Sequence, residues 1–282
     1  MARYSPKTPR NAFPDGGASS FPYETAKGVL RAAVPGRRTV LNLLRTAMQP
    51  MGTTLYIYGG GWNEKDSGAD VAARAPLPSP AWRAFFLSQN AAYDYRRFLD
   101  PRFRRCGLDC SGYLGWTLCA TLHSEPQNEG YVCPSTEMAG RLAARGLGTL
   151  LRFPTDFLPG DVFSMSGHVW LCVGACRDGS LVIAHSSPTP DRTGTGRGGG
   201  VQLSALPPDD SNPSCEALTL ARHYMRRFPT WSARYAAQAK PRAQYTALPV
   251  NPNSGLFRFT ALSDPENIKK QDAPTILSAL FL

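Results

Sequence analysis

Residues 109–122 read DCSGYLGWTLCATL, and the fold turns on how this stretch is read. From Ser111 to Leu122, the apolar side chains of Tyr113, Trp116, Leu118 and Leu122 recur at roughly helical spacing, which predicts an apolar helix. Asp109 stands where the N-cap of that helix belongs. Cys110 therefore falls at a helix start, where the macrodipole and the unpaired N–H groups favour a thiolate and can hold an oxyanion. Gly112 and Gly115 carry no side chain, so another backbone or an extended substrate can approach that face closely. Cys110 is the candidate nucleophile.

A nucleophilic thiol needs a base, and the chain has four histidines: His123, His168, His185 and His223. Residues 158–188, LPGDVFSMSGHVWLCVGACRDGSLVIAHSSP, predict a turn at Pro159-Gly160-Asp161 and a short strand around Val162 and Phe163. A second strand runs from His168 through Val173 and a third from Leu181 to Ala184, ending at His185. Successive antiparallel strands lie side by side, so the start of one meets the end of the next and the two imidazoles become neighbours. One ring can then serve as base to the thiol while the other orients it. His123 lies about three helical turns from Cys110, too far to reach it, and His223 is expected on the surface.

Three motifs together resemble the NlpC family of bacterial cell-wall cysteine peptidases, a branch of the papain-like superfamily. DCSGY is similar to the family's nucleophile motif, LPGDVF…GHVWLCVG to its Pro-Gly-Asp…His-Val segment, and VIAHSS to its last motif. The resemblance implies Cys110 as nucleophile, His168 as base and His185 as the third polar residue, with Ser186 and Ser187 as alternatives for the last role. Upstream, LYIYGGGW (residues 55–62) resembles the family's Tyr-x-(Trp/Tyr)-Gly-Gly motif. That likeness puts Tyr56 beside the active site and, with Asp109, Ser111 and Trp62, among the substrate-binding residues. The implied fold is α+β, a papain-like NlpC-type domain in which the nucleophile helix packs on an antiparallel β-sheet. The implied reaction is hydrolysis of an amide in a peptidoglycan stem peptide, between γ-D-glutamate and a diamino acid, through a Cys110 thioester and with neither metal nor cofactor. An amidase or acyltransferase of the same fold and a non-catalytic wall-binding module are the alternatives.

The resemblance covers Leu55 to Leu206, with a helical insertion at about 63–105. Around it the sequence suggests a disordered segment 1–22, a helical extension 23–54 and a basic C-terminal extension 207–282 packed on the core. Glu24 to Gln49 is mostly helical in pattern, with a break at Pro35-Gly36, and the insertion predicts a helix from Pro80 to Leu99. Its aromatic residues Trp82, Phe85, Phe86, Tyr93 and Phe98 either pack that helix on the core or wall a lid over Cys110. After the third strand, the Gly-rich stretch 187–200 reads as a flexible connection into VQLSAL, an edge strand.

A net charge of +10 points to an anionic partner. No aromatic–basic RNA motif, zinc-finger spacing or basic helix is present, so nucleic acid is not the expected partner. Anionic wall polymers fit the resemblance better. From Ala217 to Leu262 there is no acidic residue, whereas Arg222, Arg226, Arg227, Arg234, Lys240, Arg242 and Arg258 are basic. This is either a solvated face or, with Tyr224, Trp231, Tyr235 and Tyr245, a polymer-docking surface. Seven cysteines show no disulfide spacing, and Cys172 and Cys176 read as small buried hydrophobes. Cys106, Cys119, His123 and Cys133 lack the close spacing of a structural zinc site. No run of eighteen apolar residues exists to span a membrane. The N-terminus lacks the apolar run of a signal peptide, so the wall or extracellular location implied by the resemblance stands beside a cytoplasmic one.

Overall fold

The computed structural model describes residues 29–248 and 250–282. The expected disorder of residues 1–22 and the start of the helix expected from Glu24 lie outside the described residues. What is described is an α+β arrangement built on one six-stranded antiparallel sheet. Its strands are β1 (Gly148–Leu151), β2 (Val162–Met165), β3 (His168–Ala175), β4 (Leu181–Ser187), β5 (Gly200–Leu206) and β6 (Gly255–Phe259), in the spatial order β1-β6-β2-β3-β4-β5. The helices are α1 (Val40–Met48), α2 (Pro80–Ser88), α3 (Cys110–Leu122), α4 (Met138–Ala144), α5 (Glu216–Met225), α6 (Pro229–Arg234), α7 (Arg242–Tyr245) and α8 (Ala273–Leu280).

Side chains of a strand alternate between faces, and here both faces are buried. Val169, Leu171 and Val173 of β3, Val182 and Ala184 of β4, and Val201, Leu203 and Ala205 of β5 join the main core with α3, α1 and α8. Phe163, Trp170, Cys172, Leu181, Ile183, Leu206 and Leu256 form a second apolar layer on the other face, where Phe157, Tyr245 and Leu248 cover them. Cys172 and Cys176 are buried as expected.

Helix α3 starts at Cys110 with Asp109 as its cap. Every residue of it is buried, which is why a helix apolar on all sides shows so weak a periodicity in sequence. The two glycines admit backbone rather than substrate. A Cβ on Gly112 would lie 1.9 Å from the Gly60 carbonyl oxygen, and one on Gly115 2.5 Å from the Val132 side chain.

Several expectations are corrected. Among its described residues, the N-terminal extension is helical only at α1, because the Asn42 side chain bonds the backbone of Val34 and Arg37 and folds residues 34–37 into a turn. The helix of the insertion ends at Ser88, not Leu99, since Asn90 accepts the N–H of Ala92 and turns the chain. Its aromatic groups pack inward, Trp82 edge-on to Trp116 at 5.6 Å, with Phe86 and Tyr93 also buried. The Gly-rich connection is pinned: Arg197 bridges both Asp94 and Pro190, and Gly198, Gly199 and Gly200 are buried. Tyr224, Trp231 and Tyr235 belong to the core, not to an exposed docking face.

The C-terminal segment does more than pack on a finished core. It supplies β6, which lies between β1 and β2, and α8, which packs against β3 at Gly174. Arg258 of β6 grips Asp161 of the Pro-Gly-Asp turn in a two-pronged pair, Nε to Oδ1 at 3.0 Å and Nη2 to Oδ2 at 2.7 Å. Burial pushes the Asp161 carboxyl up while Arg258 pulls it down.

Candidate active site

The N-terminus of α3 is held from two sides. Asp109 Oδ1 accepts the Gly112 N–H at 2.6 Å and the Ser111 hydroxyl at 2.8 Å, and Trp62 Nε1 donates to Ser111 Oγ at 3.1 Å. The Leu55–Gly61 stretch runs alongside. Leu108 N–H donates to the Leu55 carbonyl and Ile57 N–H to the Leu108 carbonyl, and Asp109 N–H donates to the Gly60 carbonyl. Tyr56, Trp62, Asp109 and Ser111 are thereby gathered at one helix end, as the motifs suggested. Tyr56 also meets Tyr95 edge-on at 5.0 Å, and its carbonyl accepts the Tyr93 hydroxyl at 2.9 Å.

The backbone N–H groups of Val169, Ser111 and Cys110 itself pull the Cys110 thiol down, favouring the thiolate. Burial outweighs them. It and then the charge of Asp109 push the thiol up to about 12, so the resting group is a thiol. Asp109 is pushed up to about 6, burial prevailing over its hydrogen bonds. Burial also raises the Tyr56 hydroxyl, with the neighbouring Cys110 thiol adding to the effect.

The Val169 N–H that acts on this thiol belongs to the start of β3, one residue from His168. The β2–β3 turn at Ser166-Gly167, with Gly167 at φ +72°, sets His168 as the first residue of its strand. Alternation puts the His168 and His185 side chains with Trp170 and Ile183, beneath Tyr245, on which the Cys110 thiol also acts. There His168 Nε2 and His185 Nδ1 are 2.8 Å apart, and His185 Nε2 is 2.9 Å from Ser204 Oγ. Among the three candidates for the orienting role, His185 meets His168. Ser186 Oγ donates instead to the Leu108 carbonyl, and Ser187 Oγ to the Pro188 carbonyl.

Burial first, then the charge of Lys240, lowers His168 to about 3. His185 is driven well below its ordinary value by burial, His168 and Lys240 in that order. Both rings are neutral at pH 7. One tautomer leaves His168 fit for base chemistry: His168 Nε2–H donates to His185 Nδ1 and His185 Nε2–H donates to Ser204 Oγ. His168 Nδ1 then keeps its lone pair.

Three participants carried no local signal. Ser204 sits in a strand otherwise legible only as apolar alternation. Tyr245 of α7 stands over the pair, its ring centroid 5.3 Å from His168 and 6.1 Å from His185, and its carbonyl accepts Trp170 Nε1–H at 2.9 Å. Lys240 is tied to β5 next to Ser204, its N–H donating to the Ala205 carbonyl at 2.8 Å. A cleft of about 380 Å³ has Trp62, which bonds Ser111 at the helix start, with Lys65, Asp70 and Arg104 in its wall.

The remaining thiols and imidazoles do other work. Cys119 donates to the Arg74 carbonyl, His123 bonds the Tyr131 hydroxyl at 2.7 Å, and His223 is exposed. Cys176, Asp178 and Glu216 come close together, but Asp178 caps the N–H groups of Ser180 and Glu216, and Glu216 accepts from Arg177 N–H. Among the described residues, no helix is long and apolar enough to cross a membrane. No family model, curated protein or solved structure matches the chain.

Proposed function

We propose that the chain is a cysteine peptidase of the papain-like NlpC type that cleaves an amide bond in peptidoglycan stem peptides. The observation that carries the reading is the relay from Ser204 through His185 to His168, ending one residue from Val169, whose N–H favours the thiolate of a helix-start cysteine. A nucleophile helix buried against an antiparallel sheet supports the fold assignment. In the proposed reaction His168 Nδ1 takes the thiol proton as Cys110 attacks the carbonyl carbon. The backbone N–H of Cys110, with the Tyr56 hydroxyl, steadies the oxyanion. The proton passes to the departing amine as the C–N bond breaks, leaving a thioester. Water, deprotonated by His168, attacks that thioester and returns the acid product and the free thiol. His185 holds the His168 ring in the required tautomer. By resemblance, the bond cut lies between γ-D-glutamate and a diamino acid.

Incubation with defined muropeptides, read by mass spectrometry, tests this. Wild type should release stem-peptide fragments, and iodoacetamide treatment or Cys110→Ala should abolish release. Burial of the sulfur favours one rival, a non-catalytic wall-binding module. Equal wall binding by wild type and Cys110→Ala, with turnover by neither, would establish that rival instead.

A further inference from the structure

The turn between β3 and β4 and the start of α5 bring three metal-ligating side chains together. Cys176 and Asp178 belong to the turn, and Glu216 is the first residue of the helix. The Cys176 sulfur and an oxygen of each carboxylate lie within 4.8 Å of one another. One ion can span that spread, because zinc bonds of about 2.0 Å to oxygen and 2.3 Å to sulfur set neighbouring ligand atoms about 3.5 Å apart. Cys176 is 7% exposed, whereas Asp178 is exposed and Glu216 half-buried. An ion would enter past the carboxylates and meet the sulfur at the back.

Neighbouring bonds hold the three residues in place and leave electron pairs over. Cys176 N–H donates to the Ser180 carbonyl at 2.8 Å. Asp178 accepts the Ser180 and Glu216 N–H groups, and Glu216 Oε2 accepts Arg177 N–H at 3.1 Å. Outer bonds of this kind orient metal ligands, and an ionised carboxylate has about four lone pairs to share. Among the described residues, no basic side chain pairs with Asp178 or Glu216. The Arg177 side chain, which stands between Cys176 and Asp178 in sequence, turns to Asp272 at 4.0 Å. Two adjoining carboxylates with no cation between them, in a chain of net charge +10, repel each other until a positive ion joins them. His168 begins β3 and Cys176 follows its last residue, so the cluster stands roughly 25 Å from the imidazole pair at about 3.3 Å per residue. It is independent of the thiol-hydrolase reading.

We infer that Cys176, Asp178 and Glu216 form a site for a divalent cation of the zinc class, with solvent as the fourth ligand, that staples α5 to the β3–β4 turn. One thiolate with two carboxylates suits a borderline-soft ion, whereas Mg²⁺ and Ca²⁺ take oxygen ligands. As the sulfur–metal bond forms, the Cys176 thiol gives its proton to solvent, and no electron changes hands.

Co²⁺ is the probe, because it replaces zinc and shows a thiolate-to-cobalt absorption only when sulfur is bound. Full-length protein freed of metal by a chelator should take up one Co²⁺ with that absorption, and Zn²⁺ but not Mg²⁺ should bleach it. Cys176→Ser should lose the absorption. Glu216→Gln should weaken Co²⁺ binding at least about tenfold, the loss found even for partners outside the ligand shell, with the circular dichroism of both variants unchanged. Cys215→Ser, which removes the thiol preceding Glu216 and none of the three ligands, should keep the absorption. A folded wild type without the absorption, or its persistence in Cys176→Ser, overturns the site. Neither result depends on whether muropeptides are cleaved.

Discussion

Asp109 works against the thiol it helps to position. Its carboxylate caps α3, but its charge is the second cause, after burial, of the high Cys110 value. Asn keeps a capping oxygen and removes that charge, so Asp109→Asn should move the alkylation–pH profile of Cys110 to lower pH while α3 stays formed. The same carboxyl makes stability depend on pH. Its value is raised to about 6 in the folded chain, against about 3.9 unfolded, so the folded state binds more protons between the two. The stabilisation is complete below about pH 4 and is lost as pH rises through 6, on the order of 2–3 kcal/mol. Urea unfolding of wild type and Asp109→Asn across pH 4–8 should show this slope in the former and its loss in the latter.

Helix α3 reaches its place because two backbones touch. Gly60 and Gly112 let the Leu55–Gly61 stretch lie directly on the first turn, with the Gly60 carbonyl also accepting Asp109 N–H. A methyl group at 112 cannot be accommodated by a flexible neighbour, since what it meets is a carbonyl oxygen at 1.9 Å. Gly112→Ala should therefore destabilise by on the order of 3 kcal/mol. Gly146, at the end of α4, has φ +70°, and a Cβ added there would have no atom within 4 Å. Gly146→Ala should lose only the left-handed backbone preference, about 1–2 kcal/mol. Chemical denaturation of the two variants separates close contact from conformational strain.

Over the whole molecule, the sheet closes only when the segment after Leu248 arrives. Strand β6 pairs with both β1 and β2, and Arg258 neutralises Asp161, which is 1% exposed. A chain ending at Leu248 would leave β1 without a partner, Asp161 buried and unpaired, and α8 missing from the core. Such a chain should show no cooperative thermal transition by circular dichroism, whereas full-length protein should melt in one step.

The sequence alone determined the elements whose causes are local. Asp109 at a helix start, the turn at Pro159-Gly160-Asp161, and the strands ending and starting at His185 and His168 follow from capping, backbone freedom and side-chain period, and they made neighbours of two rings that stand 2.8 Å apart. Long-range packing decided the rest. The length of α2 was cut short by an Asn90 turn, and the Gly-rich loop was pinned by Arg197 rather than left free. Lys240, Tyr245 and β6 come from a segment that joins a sheet begun far upstream in the chain. Burial is a property of the assembled chain, and so it was the tertiary structure that set the neutral rings and the raised thiol.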